Sequence, residues 1–190
     1  MWDAMMAEPK PDNGSQFMTG IWHYGRALAY IHTDRPKQAK QELVELTIVR
    51  EAMGTVEHYV GFATAKTLMT IAEQIVQGEL AYTEGRVLEG LAHLERAVRL
   101  EDGLRYNEPP DWYFPVRHLL GAMLLDAGYP DEAEVVYAAD LRKNPENGYS
   151  LFGLSEALER QGRVKEAQAF SERFSRAWAD ASHTLTSSRF

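Results

Sequence analysis

The segment VRHLLGAMLLDAGYPDEAEVVYAADLRKNP, residues 116–145, is followed by YSLFGLSEALERQGRVKEAQAFSERFSRAW, residues 149–178. The two segments repeat the same residue types at a constant spacing of 34 positions. In each copy a glycine ends one helical pattern and a second helical pattern follows it, as expected where a helix stops and the chain reverses. The repeat therefore predicts two successive helical hairpins. The matching pairs are Leu120 and Leu154, Leu124 and Leu158, Gly128 and Gly162, Glu132 and Glu166, and Ala133 and Ala167.

A period of 34 residues with this internal pattern is typical of tetratricopeptide (TPR) repeats. Gly121 and Ala133 are small where the two helices of a hairpin should cross closely. Arg117 and Leu124 stand where the TPR pattern usually has tryptophan and tyrosine. The first copy resembles the family pattern at Leu120, Gly121, Leu124, Ala133, Tyr137 and Pro145.

Looser copies of the pattern lie upstream, in residues 21–46 and 78–102, with insertions near residues 52–63 and 103–115. The chain is therefore predicted to be an all-α, TPR-like α-solenoid of about eight helices in four antiparallel hairpins. We expect one such domain over residues 17–182. An irregular lead-in, residues 1–16, and a C-terminal tail, residues 183–190, flank it.

Over nearly its whole length the chain also resembles bacterial TPR-domain proteins. The resemblance rests on segments such as IWHYGRALAY (residues 21–30), RYNEPPDWYFPVR (residues 105–117) and NPENGYSLFGL (residues 144–154). It implies that the chain corresponds to the C-terminal portion of a longer protein, or to a short stand-alone version. It implies no reaction.

The amino-acid composition excludes several classes of function. The 190 residues include no cysteine, which excludes disulfides, thiolate metal sites and cysteine nucleophiles. The net charge of −8 argues against nucleic-acid binding. There is no membrane-length apolar run, secretory signal, phosphate loop or nucleophile motif, so we expect a cytoplasmic protein with no membrane contact. These features favour a non-catalytic protein–protein interaction module without a cofactor.

The resemblance to TPR proteins implies that the first helix of each hairpin lines a concave, ligand-binding surface. The residues at these positions and in the loop before the third hairpin are mainly acidic and aromatic. Such a groove favours a basic peptide or protein through ion pairs and cation–π contacts. Any single aromatic among them can equally be packed between repeats. The candidate ligand-binding residues are Tyr24, Glu79, Tyr82, Glu108, Trp112, Tyr113, Arg117, His118, Phe152 and Glu156.

The loop before the third hairpin has two interpretations. A rigid loop that presents Glu108, Trp112 and Tyr113 would form the edge of a binding groove. Alternatively, the two aromatic residues cover an enlarged join between hairpins. In both cases Asp111 is predicted to cap a helix that begins near Trp112.

Two other hypotheses remain open. One alternative is a small-molecule or metal-binding protein, or an enzyme, with a pocket between Trp22-His23-Tyr24 and residues 108–118. A metal there would use His23, His118 and Glu79, although the spacing of a known metal motif is missing. Self-assembly is the third hypothesis, because the last helix carries Phe170, Phe174 and Trp178 and would form a homodimer through the end of the solenoid.

Overall fold

The computed structural model describes residues 1–12, 14–54 and 58–189. Nine helices and one short antiparallel β-hairpin lie within these ranges. They are α1 (Trp2–Ala7), α2 (Gln16–His32), α3 (Pro36–Ala52), β1 (Tyr59–Val60), β2 (Ala63–Thr64), α4 (Ala65–Thr83), α5 (Val87–Asp102), α6 (Val116–Asp126), α7 (Pro130–Lys143), α8 (Gly148–Arg160) and α9 (Val164–Ala177). The pairs α2–α3, α4–α5, α6–α7 and α8–α9 are helical hairpins, which confirms the predicted all-α class and its four hairpins.

The chain forms two compact units, which divide between Tyr113 and Phe114. Unit 1 contains α1 to α5 and the β-hairpin, and unit 2 contains α6 to α9 and the segment that follows them. The predicted bounds of a single domain, residues 17–182, stay a prediction. In the described part of the chain, every helix is too short or too polar to cross a membrane.

All four hairpins use the same turn between their helices. One residue in each turn has a positive φ: Asp34 at 56°, Gly85 at 78°, Gly128 at 83° and Gly162 at 76°. The amide of the following residue donates a hydrogen bond to the carbonyl five positions earlier, as Tyr129 does to Leu124 at 2.9 Å. This bond satisfies a carbonyl that the end of the helix would otherwise leave unpaired. The prediction that Gly128 ends a helix is confirmed.

The two units achieve close helix packing in different ways. In unit 1 the backbones of α4 and α5 approach directly, since a Cβ on Gly90 would lie 2.9 Å from the Gly78 carbonyl oxygen. In unit 2 the ring of Tyr137, from α7, lies against two glycines on neighbouring helices. A Cβ on Gly121 would lie 2.4 Å from this ring, and a Cβ on Gly153 would lie 2.2 Å from it. Gly121 is therefore small because an aromatic ring occupies the space.

The lead-in is not wholly irregular, because its residues 2–7 form α1. The Trp2 ring stacks on His32 with centroids 4.5 Å apart, and Met5 lies against Gly25. The Trp22 indole N–H donates to the Glu8 carbonyl at 2.8 Å. The apolar contacts of Trp2 and Met5 give this short segment the packing that its Pro- and Asp-rich sequence did not predict.

Candidate functional site

Unit 1 brings together four of the predicted ligand-binding residues. Tyr24 on α2 lies edge-on to Trp112, with ring centroids 5.7 Å apart, and the Tyr24 and Tyr113 hydroxyl oxygens are 3.4 Å apart. Glu79 on α4 is 2% exposed and acts electrostatically on Tyr24. Tyr24 and Trp112 are buried, whereas Tyr113 is 63% exposed. The loop therefore covers the α2 surface with Trp112 and presents Tyr113 to solvent.

The inner part of this cluster is buried and contains the Glu79 carboxylate. Burial raises the pKa of Tyr24 well above its ordinary value, and Tyr113 and the Glu79 carboxylate raise it further. Tyr24 therefore acts as a neutral hydrogen-bonding group rather than as a phenolate. The Trp112 indole nitrogen is buried and has no hydrogen-bond acceptor among the described residues.

Asp111 fixes the same loop, but not by the predicted cap. Its carboxylate accepts hydrogen bonds from the backbone amides of Phe62 and Ala63, at 3.0 and 2.8 Å, and from the Asn107 side chain at 2.6 Å. Helix α6 begins only at Val116. The prediction that Asp111 caps a helix near Trp112 is therefore wrong, because charge-assisted bonds to the β-hairpin engage this carboxylate.

The remaining predicted residues of unit 1 are less closely associated. Glu108 is exposed and accepts a hydrogen bond from Tyr106, and Tyr82 is half-buried on α4. His23 is buried, with its Nδ1 2.7 Å from Glu42 Oε2, and Arg26 binds the other oxygen of Glu42 at 2.8 Å. Within residues 1–12, 14–54 and 58–189, His, Asp and Glu form no cluster that could hold a metal. The hypothesis of a metal at His23, Glu79 and His118 therefore gains no support.

Unit 2 contains a continuous row of aromatic contacts. His118 stacks on Tyr149 with centroids 5.4 Å apart, and Trp178 stacks on Phe174 at 5.8 Å. Edge-to-face contacts join Tyr149 to Trp178 and Phe174 to Phe152. This row includes two predicted ligand-binding residues, His118 and Phe152, and places both in packing contacts. It also includes Phe174 and Trp178, which were predicted to mediate a homodimer.

The side chain of His118 belongs to a buried polar network. His118 Nε2 lies 3.2 Å from Asp140 Oδ2, and Ser150 and Asn144 donate to the same carboxylate at 2.6 and 2.9 Å. Burial tends to raise the pKa of Asp140, but the bonds from His118, Ser150 and Asn144 outweigh it, and the pKa lies below its ordinary value. The ring of His118 therefore anchors α7 and α8 to α6.

The backbone of His118 participates in a second contact, with the segment after α9. The Ser188 hydroxyl donates to the His118 carbonyl at 2.9 Å, and the Tyr137 hydroxyl lies 2.5 Å from Ser188 Oγ. Arg189 reaches Asp126, at the end of α6, at 2.9 Å. Ser188 is 2% exposed. We call residues 187–189 the seated segment. We call the surface that holds it, formed by the His118 carbonyl, Asp126 and Tyr137, the seat.

Acidic side chains border the seat. Burial raises the pKa of Tyr137 above its ordinary value, and the carboxylates of Glu156 and Asp126 raise it further. Glu156, on α8, is paired with Arg160, which also binds the Leu125 carbonyl. Arg117 is half-buried on α6. Of the predicted residues, the seat thus involves Glu156 and the backbone of His118.

Comparisons with known proteins agree with this architecture. The family model described as tetratricopeptide repeat matches residues 115–139 and 148–173, which contain the two hairpins of unit 2. The two hairpins of unit 2 are therefore similar to tetratricopeptide repeats. The matched ranges agree with the copies identified from the 34-residue period. No curated protein sequence matches the chain significantly.

Solved structures resemble the chain in fold. One is a Podosopora anserina protein described as a kinesin light chain with nearly identical TPR-like repeats. It has 18% identity and a TM-score of 0.59 over 95% of this chain and 84% of that chain. Another is the Rap conjugation gene regulator of the plasmid pLS20, in complex with the Phr* peptide. It has 20% identity and a TM-score of 0.61 over 94% of this chain and 47% of that chain. At these identities the likeness confirms the TPR-like fold class.

The residues of the seat that sequence reasoning missed are Asp126, Ser188 and Arg189. The TPR pattern marks Tyr137 as a packing residue, and nothing in the pattern indicates that its hydroxyl reaches beyond the helices. The only sequence signal is the hydroxyl-rich run before Arg189, whose contacts depend on where the chain returns after α9.

Proposed function

We propose that this chain is a non-catalytic TPR interaction module that binds a short segment of a protein partner on the seat. The carrying observation is that the seat already holds residues 187–189 through hydrogen bonds to Tyr137 and the His118 carbonyl and an ion pair to Asp126. A surface with a fixed hydroxyl, a backbone acceptor and a carboxylate is suited to peptide recognition. The Phr* complex of the structurally similar Rap regulator is consistent with peptide binding by this fold.

The charge of the seat favours a basic partner. Asp126 and Glu156 both lie near the Tyr137 hydroxyl, and the chain carries a net charge of −8. Opposite charges increase the rate of encounter and improve specificity. The wider ligand-binding groove stays a prediction. Its predicted residues are Tyr24, Glu79, Tyr82, Glu108, Trp112, Tyr113, Arg117, His118, Phe152 and Glu156.

The test is selection of random 12-residue peptides displayed on phage against the full chain. Selected peptides should be rich in arginine and lysine. Their affinity should fall at least five-fold in Asp126→Asn/Glu156→Gln. The double variant Glu132→Gln/Glu172→Gln, which changes the same charge on α7 and α9, should bind normally. Failure to select any peptide, or equal loss in both variants, would reject the proposed function.

A further inference from the structure

We propose that the seated segment is a resident competitor for the seat, and that the partner displaces it with a similar pair, a serine-sized hydroxyl residue followed by arginine. This inference rests on the proposed function and adds to it the chemistry of the partner and the regulation of the site. The observations that carry it are the burial of Ser188, its two hydrogen bonds and the ion pair of Arg189.

The direction of the hydrogen bonds defines what the first residue of the pair must provide. A carbonyl can only accept, so the single proton of Ser188 is directed to His118. Tyr137 must then be the donor to Ser188 Oγ, and burial keeps its hydroxyl protonated. The first position of the pair therefore needs one group that both donates and accepts. A hydroxyl meets this requirement, whereas an aliphatic or carboxylate side chain does not.

Space restricts this position further. The Tyr137 ring is held by its contacts with Gly121 and Gly153, so the position of its hydroxyl donor on the seat is fixed. Ser188 is 2% exposed, and the seat closes around a small side chain. A larger residue would have to move either the Tyr137 ring or α6.

The second position is selected by charge. The Arg189 guanidinium lies 2.9 Å from Asp126 Oδ2, and its side chain is only 20% exposed. A cationic side chain here is attracted by the Asp126 carboxylate, while an acidic one is repelled. Arginine adds a planar donor group suited to carboxylates.

Attachment to the chain makes the seated segment an effective competitor. A tethered segment acts at a local concentration in the millimolar range, so it reduces the apparent affinity of any free peptide for the same seat. A partner must exceed this concentration or offer additional contacts. The seat is therefore closed to weak ligands and open to those with the matching pair and further contacts.

The experiment uses a fluorescein-labelled peptide of residues 183–190, HTLTSSRF, and fluorescence anisotropy with the full chain. The released variant is Ser188→Ala/Arg189→Glu, in which the segment loses its hydroxyl and is repelled by Asp126. Its control is Thr186→Ala/Arg176→Glu, which also removes one hydroxyl and reverses one arginine charge, but at exposed positions. The released variant should bind the peptide at least five-fold more tightly than the control. A peptide with the Arg189→Glu change should not bind either chain.

Hydrogen exchange shows whether the segment has left the seat. Protection of the amides of residues 187–189 should be lost in the released variant and kept in the control. If the released variant is poorly folded, Arg189→Glu alone tests the same point, because Asp126 lies partly in solvent.

The proposal would be overturned if the released variant and the control bound the peptide with equal affinity. The phage-selected basic peptides would still test the proposed function independently. No binding of the HTLTSSRF peptide to the released variant, while selected peptides bind, would overturn the serine–arginine chemistry alone. Failure of every peptide would reject the proposed function itself.

Discussion

The Tyr137 hydroxyl lies 2.5 Å from Ser188 Oγ, although 51 residues separate the two along the chain. The ring that carries this hydroxyl is also the residue that fills the space between Gly121 and Gly153. One side chain therefore connects the packing of the two TPR hairpins to the surface that holds the seated segment. Changes to the ring and changes to the hydroxyl should have separable effects.

Removal of the hydroxyl alone tests the second of these roles. In Tyr137→Phe the ring still packs on both glycines, but Ser188 loses its donor. We expect a loss of about 1 kcal/mol in the free energy of unfolding, measured by urea denaturation. Amide protection at residues 187–189 should fall in hydrogen exchange. Tyr129→Phe, at a partly exposed tyrosine of the turn before α7, should change neither quantity. Unchanged protection in Tyr137→Phe would contradict the assigned bond.

A methyl group at Gly153 tests the packing role. Its Cβ would lie 2.2 Å from the Tyr137 ring, so Gly153→Ala should destabilise unit 2 by about 1–3 kcal/mol through overpacking. The cost should be much smaller in a Tyr137→Leu background, because the shorter side chain leaves room for the methyl group. A double-mutant cycle measures this coupling. Additive effects of the two substitutions would show that the ring and the glycine do not meet.

The repeat period was enough to predict the hairpins of unit 2. The residues that repeat are those that must be small, must be apolar, or must adopt a positive φ. The looser upstream copies still predicted their helices, because Gly85 and Gly90 keep their places in the pattern. The turn at Asp34 was harder to recognise from the sequence. The other three turns have glycine at the position of positive φ, whereas this turn has aspartate. The β-hairpin of two-residue strands was not predicted, because strands this short give no periodic signal.

The turn residues give a prediction with opposite signs at equivalent positions. Asp34 has a φ of 56°, in the left-handed region, which is unfavourable for a residue with a Cβ. Asp34→Gly should therefore stabilise unit 1 by about 0.5–1 kcal/mol. Gly128→Ala should destabilise by about 1 kcal/mol, although a Cβ there would touch nothing within 4 Å. Thermal unfolding of the two variants checks both signs. A destabilised Asp34→Gly variant would mean that the aspartate side chain contributes more than its backbone costs.

The two aromatic residues of the inserted loop should also differ in effect. Trp112 is 4% exposed and packs on Tyr24, so Trp112→Ala should cost about 3–5 kcal/mol of stability. Tyr113 is 63% exposed, and Tyr113→Ala should cost less than about 1 kcal/mol. Denaturation of both variants measures the difference. Equal losses would show that Trp112 is not the residue that secures the loop.

Sequence reasoning was less successful for the candidate site than for the fold. The predicted set of acidic and aromatic ligand-binding residues stays a prediction. However, the alignment of repeats could not show that the side chain and the backbone carbonyl of one residue, such as His118, have different surroundings. Its ring is buried against Asp140 and Tyr149, while its carbonyl faces Ser188. The seated segment lies outside the repeats, so its contacts follow from the course of the chain after Trp178 rather than from any periodic pattern.

Acid should weaken unit 2 through Asp140. Its pKa in the folded protein lies below the ordinary value of 3.8, so its ionised form is stabilised by folding. This stabilisation is complete above the ordinary pKa and is lost as the pH falls through the lower, folded value. Asp140→Asn should therefore reduce the free energy of unfolding by about 1.5–3 kcal/mol at pH 6, the usual loss for hydrogen bonds to a buried charge. The difference from the unsubstituted chain should narrow below about pH 4, where the Asp140 carboxylate of the unfolded chain takes up a proton while the folded one stays ionised. Urea denaturation at pH 6, 4 and 3 measures it, with Asp131→Asn, an exposed aspartate on the same helix, as the control. A difference that stays constant down to pH 3 would show that the contribution of Asp140 does not depend on its charge.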